Sequence, residues 1–182
     1  VNTLFIGSPS GGIWKSTNGG ASWTNLSANM PLLGVSAILI HPTNPNICLI
    51  GGIDIWRTND GRTFDNLTRG YERGRPMGPV HVDQHAAAFA PSNPDVVYEG
   101  NDGGMVRSTD AGQTWSVINN GLAITQFYSF DVDPLVRDRL AGGTQDNGTL
   151  AALRSAVDWD SVYGGDGMTT VIDHTDPSTI FC

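Results

Sequence analysis

Lysine is almost missing from this chain, with Lys15 alone, and glutamate is reduced to Glu72 and Glu99 beside sixteen aspartates. Glu and Lys are good helix formers, whereas Asp, Asn and Gly prefer turns, so a long helical bundle is excluded. Charged residues make up 15% of the 182 positions, against roughly a quarter in ordinary domains. Cysteine is limited to Cys48 and Cys182, too few and too far apart to define a disulfide framework. Apolar runs such as Val35–Ile40 are far shorter than the about 20 residues a membrane-spanning helix requires, which excludes membrane insertion of that kind. No signal peptide is evident, because Val1–Gly7 reads as a strand. The net charge of −8 makes nucleic acid and anionic membranes poor partners, leaving neutral ligands, cations and basic surfaces.

What is abundant is glycine, at 23 residues, together with 39% hydrophobic residues and five tryptophans. That composition argues for a folded all-β chain with many tight turns, and the length suffices for a sizeable core. The strongest signal is internal repetition. Ile40-His41-Pro42-Thr43-Asn44-Pro45-Asn46-Ile47 aligns with Ala90-Pro91-Ser92-Asn93-Pro94-Asp95-Val96-Val97. The pattern returns at Val132-Asp133-Pro134 before Leu140 and at Ile172-Asp173-His174-Thr175-Asp176-Pro177 before Ile180. Each is a strand end, a polar turn and a second apolar strand. Pro42, Pro91, Pro134 and His174 are 49, 43 and 40 residues apart, a period that suits a four-stranded propeller blade.

A second element recurs in register with the first. Ser16-Thr17-Asn18-Gly19-Gly20-Ala21-Ser22-Trp23 matches Ser108-Thr109-Asp110-Ala111-Gly112-Gln113-Thr114-Trp115. A weaker copy places Arg57 at the first Ser, then Asn59, Gly61 and Phe64. An Asp or Asn bonds its own turn, Gly supplies positive φ, and the aromatic plugs the blade. These residues are expected to be structural. In the fourth repeat, which lacks this hairpin, Trp159 is placed at the plug. The layout is a single β-propeller segment over 1–182, with blades at 3–27 (partial), 34–68, 80–118, 125–162 and 168–182 (partial). About four blades predict an incomplete ring, finished by the remaining blades of a longer chain or by a second copy. Closure as a four-bladed ring is the alternative.

Chemistry concentrates in four polar segments. His81-Val82-Asp83-Gln84-His85 enters an inner strand, and strict alternation would put His81, Asp83 and His85 on one face, a set able to hold a divalent metal such as calcium. The alternative is a hydrogen-bonded polar cluster. Gly100-Asn101-Asp102-Gly103-Gly104 and Gly143-Thr144-Gln145-Asp146-Asn147-Gly148-Thr149 join second and third strands, with Asp54 matching them in an earlier blade, and Gly164-Gly165-Asp166-Gly167-Met168 leads into a first strand. Propeller topology sends all four segments to one end. The expected ligand-binding set is therefore Asp83, His85, Asn101, Asp102, Gln145, Asp146, Asn147 and Asp166 around a common mouth. Glycine lets backbone approach a ligand there, and Asp or Asn supplies hydrogen bonds.

The hairpins resemble the Asp-box, or BNR repeat, with pattern S-x-D-x-G-x-T-W. Together with the His81–His85, Gly100–Gly104 and Gly142–Gly148 segments, they make the chain similar to secreted bacterial sialidase-like propeller proteins, often labelled glycosyl hydrolases. That resemblance implies the propeller fold and an extracellular or periplasmic location. Sialidase activity is disfavoured, because Arg75-Pro76-Met77 is only a faint version of the Arg-Ile-Pro element that carries that family's first arginine. A xyloglucanase-type inverting hydrolase needs two carboxylates roughly 6.5–9.5 Å apart, and Asp83, Asp102, Asp146 and Asp166 are the candidates. Tyr71, Phe127, Tyr128 and Tyr163 are candidate sugar platforms, with blade core the expected role of Phe127. Two functions fit: an extracellular binding or scaffold module for a glycan or protein, or an inverting glycoside hydrolase using two of these aspartates.

Overall fold

The computed structural model describes residues 2–28, 30, 34–70, 78–155, 157–176 and 178–182. Tyr71, Arg75, Pro76, Met77 and Pro177 lie outside them. The chain forms two compact units, Val1–Asn120 and Gly121–Cys182, and the described residues contain strands but no α-helix.

The first unit holds three antiparallel sheets. One is β1 (Leu4–Ser8), β2 (Gly12–Ser16) and β3 (Thr24–Asn25). The next is β4 (Ala37–Ile40), β5 (Cys48–Gly51), β6 (Ile55–Thr58) and β7 (Asp65–Asn66). The third is β8 (Gln84–Ala90), β9 (Asn93–Asn101), β10 (Gly104–Ser108) and β11 (Ser116–Val117). In the second unit, β12 (Phe127–Val132), β13 (Leu140–Thr144), β14 (Thr149–Ala152) and β15 (Asp160–Tyr163) form a four-stranded sheet, and β16 (Val171–Ile172) pairs with β17 (Ile180–Phe181). Every sheet is ordered as its strands follow in sequence, which is the meander of a propeller blade.

The middle sheet of the first unit packs on both of its neighbours because β5 is apolar on both faces. In β5 all four residues are buried. Cys48 and Ile50 join Ile13 of β2 and Trp56 in one cluster, while Leu49 and Ile55 join Val97 of β9 and Val106 of β10 in the other. Alternation thus sends odd and even side chains of one strand to different neighbouring sheets. Burial pushes the Cys48 thiol up to about 12, so this cysteine is a core residue and not a nucleophile. In the second unit Ala141, Ala151 and Ile172 make a smaller core. Trp159 packs on Phe127, with ring centroids 5.5 Å apart.

Three hairpins share one hydrogen-bond plan. The Ser108 hydroxyl donates to Asp110 Oδ1 at 2.7 Å and accepts the Gly112 N–H at 2.8 Å. Asp110 Oδ1 then receives the N–H groups of Gln113 and Thr114, and Oδ2 the Thr114 hydroxyl. Ser16, Asn18, Gly20 and Ser22 repeat the plan with a neutral amide. The middle hairpin departs from the sequence alignment. There Thr58 supplies the hydroxyl and Asp60 the carboxylate, with Gly61, Arg62 and Thr63 as donors. Asn59 and Arg57 therefore do not fill the positions given them, because this hairpin is one residue shorter between hydroxyl and glycine. Gly112 has φ 86° and faces Leu49, so a Cβ there would lie 2.6 Å from Leu49 Cδ2. Trp115 and Phe64 pack against the two core clusters of the first unit.

These caps act on titration. Donation from the N–H groups of Thr63 and Arg62 and the Thr63 hydroxyl holds the Asp60 carboxyl well below the usual carboxylate range. Desolvation opposes the same effect at Asp110, but the Thr114, Ser108 and Gln113 bonds prevail. Because both folded values are depressed, their stabilisation is present above the ordinary value near pH 4 and is lost as acid protonates the folded carboxylates. Ser108 is 1% exposed. Ser108→Ala removes a buried hydroxyl that both donates and accepts, a change of about 1–3 kcal/mol, and should lower the melting temperature by several degrees in differential scanning calorimetry.

Candidate functional site

The His81–His85 segment does not run as a straight strand. Asp83 has φ 61° and β8 starts only at Gln84, so the alternation expected to align His81, Asp83 and His85 is broken. Among the described residues no group of three or more His, Cys, Asp or Glu is arranged to hold a metal ion. The proposed metal trio is corrected on that geometry. Its residues take separate tasks. The Asp83 and Gln84 N–H groups donate to the carbonyls of Ile53 and Gly52 in the β5–β6 loop. The His81 ring lies against Gly103, leaving no room for a Cβ there.

A β-bulge positions His85. Gln84 pairs with Asn101 and Ala86 with Gly100, so His85 is the extra residue of the inner strand. Bulges re-aim side chains and recur beside functional sites. His85 is exposed, and its Nε2 meets Asp102 Oδ1 in the β9–β10 loop. Asn101 Oδ1 accepts the Gly103 N–H, which braces that loop, and Asn119 accepts from Met105 while donating to the Gly103 carbonyl. Beneath it, buried Gln84 donates to the carbonyls of His81 and Ile53 and accepts from Asn101.

The same bulge recurs in the second unit. Phe127 pairs with Thr144 and Ser129 with Gly143, which makes Tyr128 the extra residue. Tyr128 is half exposed. Desolvation, then the negative charges of Asp166 and Asp146, raise its phenol above the ordinary tyrosine value. Asp166 Oδ1 accepts the Asp146 N–H at 3.0 Å, and Asp146 itself adopts φ 57°. Two backbone bonds knit the two loops, Gly148 N–H to Gly165 O and Gly167 N–H to Thr144 O, and Gln145 N–H donates to Gln126 O ahead of β12. Asn147 is exposed and donates to the Gln145 carbonyl. Tyr163 is 66% exposed. Phe127, in contrast, lies over Gly142 and against Trp159.

Asp83 and Asp102 belong to the first unit, Asp146 and Asp166 to the second. Asp54 is committed to structure, because its carboxylate accepts from Asn66, Thr68 and the Gly70 N–H.

Sequence reasoning passed over Glu99. By pairing register it occupies the place of Ile50 in the preceding sheet: Cys48 lies opposite Thr58 and Val97 opposite Ser108, the two hairpin hydroxyls. A carboxyl thus stands where a blade normally has an aliphatic side chain. It is 3% exposed, and its Oε1 is buried without a hydrogen-bond partner. Burial pushes its pKa up to about 8. A signal was available, since Glu99 breaks the apolar run Val96-Val97 at the second alternate position, directly before the Gly-Asn-Asp-Gly-Gly loop.

The described residues hold no helix long and apolar enough to cross a membrane. No family model matches the chain, and no curated protein matches it. Solved structures do. An ancestral GH74 enzyme superposes with a TM-score of 0.54 at 18% identity, over 91% of this chain and 23% of its own. The GH74 enzyme of Niastella koreensis gives 0.51 at 19% identity, over 90% of this chain and 28% of its own. YCF48 bound to D1 peptide gives 0.42 at 10% identity, over 99% of this chain and 77% of its own. The fold is accordingly that of β-propeller blades, and the chain spans about a quarter of the GH74 enzymes it resembles.

Two expected outcomes follow from this geometry. Folded Glu99 keeps its proton up to about pH 8, whereas an unfolded chain releases it near the ordinary value. Unfolding thus releases a proton between those values, so stability is highest at the acid end of the window and falls as pH rises. Glu99→Gln should flatten the urea midpoint between about pH 5 and pH 8 and exceed the parent at the upper end. The second concerns Gly143, whose missing Cβ direction is occupied by the Met168 and Gly167 carbonyls. Gly143→Ala must separate those two loops, and amide exchange at Gly148 and Gly167 should accelerate relative to the parent.

Proposed function

We propose that the chain is part of an extracellular propeller module that binds a neutral, hydroxyl-rich ligand, a glycan, through its inner-strand bulges and polar loops. The repeated bulge carries this reading. In both units it lifts one ring, His85 or Tyr128, beside loop carboxylates at corresponding positions of the blade. A turn that served chain reversal alone would need neither the bulge nor the ring. Carboxylates accept from sugar hydroxyls, glycine-rich loops admit close approach, and an exposed tyrosine offers its apolar face. The same hairpins and loops support membership of the Asp-box class, and the likeness to GH74 enzymes supports a polysaccharide as the ligand source.

The second reading is an inverting glycoside hydrolase, favoured by one observation: the Asp146 N–H donates to Asp166 Oδ1, which brings two aspartates of different loops to one place. In that reading one carboxyl protonates the leaving oxygen while the other activates water. Asp83, Asp102, Asn101, Gln145 and Asn147 remain proposed ligand contacts in either case.

A glycan array read beside a reducing-sugar release assay separates the two. The binding reading predicts retention of a plant or bacterial polysaccharide without product. Asp166→Ala should weaken that retention at least roughly tenfold, the equivalent of one lost charged hydrogen bond. Product release that is abolished by Asp146→Asn would establish the hydrolase instead. No retention by any glycan would discard the carbohydrate reading.

A further inference from the structure

Asparagine followed by glycine occurs at Asn18-Gly19, Asn120-Gly121 and Asn147-Gly148. Each glycine has a positive φ, at 69°, 83° and 77°, so turn conformation does not distinguish the three pairs. Such a pair carries a latent reaction. The glycine nitrogen, uncrowded by any Cβ, is placed to attack the side-chain carbonyl carbon of the asparagine before it and close a succinimide ring. Whether it does so depends on how firmly the nitrogen and the side-chain amide are held.

Two of the pairs are held at both points. Gly19 donates its N–H to the Asn2 carbonyl at 2.8 Å. Asn18 Oδ1 accepts from the Ser16 hydroxyl and the Ser22 N–H, and its Nδ2 donates to the Ser22 hydroxyl. Gly148 donates its N–H to the Gly165 carbonyl at 2.7 Å, and Asn147 Nδ2 donates to the Gln145 carbonyl. A bonded nitrogen must first be released by local opening, so only the open fraction reacts.

Asn120-Gly121 has neither restraint. The chain is anchored as far as Asn119, whose amide binds the Met105 N–H and the Gly103 carbonyl. From Asn120 through Thr125 every residue is exposed, and among the described residues none of this stretch makes a hydrogen bond. A Cβ at Gly121 would meet nothing within 4 Å, so the space around its backbone is open.

We propose that Asn120 is a site of spontaneous modification, converted with water as co-reactant to aspartate and isoaspartate, while the fold protects Asn18 and Asn147. The Gly121 nitrogen gives up its proton to base and bonds to Asn120 Cγ. The Cγ–Nδ2 bond breaks, and Nδ2 leaves as ammonia with a proton returned from the solvent. Water then opens the ring at either carbonyl. Cleavage at Cγ gives aspartate, and cleavage at the backbone carbonyl gives isoaspartate, whose chain runs on through Cγ. Both products add a negative charge, and the second also lengthens the backbone by a carbon.

The test is incubation of the folded 182-residue chain at mildly alkaline pH, beside a sample unfolded in urea. Peptide mapping by mass spectrometry and enzymatic methylation of isoaspartate are the readouts. In the folded chain, conversion at Asn120 should be at least roughly tenfold faster than at Asn18 or Asn147, the protection one intact hydrogen bond gives. In urea the three rates should be comparable. Asn120→Gln should remove the isoaspartate of the folded sample. Equal rates at the three pairs in the folded chain overturn the proposal, as does an Asn120 that stays intact there. A tenfold preference for Asn120 that persists in urea overturns it too, because neighbouring sequence and not the fold would then set the site.

Discussion

The central blade of the first unit depends on both of its neighbours, because its middle strand β5 is apolar on both faces. Strand β5 shows the constraint most plainly. Cys48 and Ile50 serve the core shared with β2, and Leu49 serves the core shared with β9. An isolated four-stranded sheet of this composition would expose one apolar face to water at about 25 cal/mol for each Å². Stacking removes that exposure and fixes the direction in which every loop emerges.

Register then carries the constraint from the core to the loops. A hydroxyl at Ser16, Thr58 or Ser108, tied to Asn18, Asp60 or Asp110, closes the outer hairpin and sets which residues face each core. Glu99 is the exception that shows the rule. Placed by register where Ile50 sits in the previous blade, it keeps its proton because nothing near it offsets the burial. At the opposite end of the strands, a bulge interrupts the pairing and releases His85 and Tyr128 from the alternation. The site and the core are therefore set by the same ladder, continuous in one place and broken in the other.

Much of the fold was legible because its signals are local and repeated. Pro42, Pro91 and Pro134 mark the turns between first and second strands, and the Ser-x-Asp hairpins mark those between third and fourth. The middle hairpin departs from the repeat pattern by one residue, since Thr58 replaces Ser and the spacing to Gly61 is shorter. The metal trio failed for a different reason. Period-two reasoning assumes an unbroken strand, and neither the positive φ of Asp83 nor the bulge at His85 has a one-residue signature. The meeting of Asp146 with Asp166 depends on two loops 20 residues apart being joined by the Gly148–Gly165 and Gly167–Thr144 backbone bonds. Spacing alone does not reveal such a meeting.

A pair of double-mutant cycles tests the two-faced strand most directly. Leu49→Ala combined with Val97→Ala, and Ile50→Ala combined with Ile13→Val, each join side chains of one shared core. Both cycles should show coupling of roughly 0.5–3 kcal/mol in urea denaturation, whereas Ile50→Ala with Val97→Ala should be additive within about 0.5 kcal/mol. Coupling in the third cycle as large as in the first two would contradict the account, because Ile50 and Val97 would then share a face.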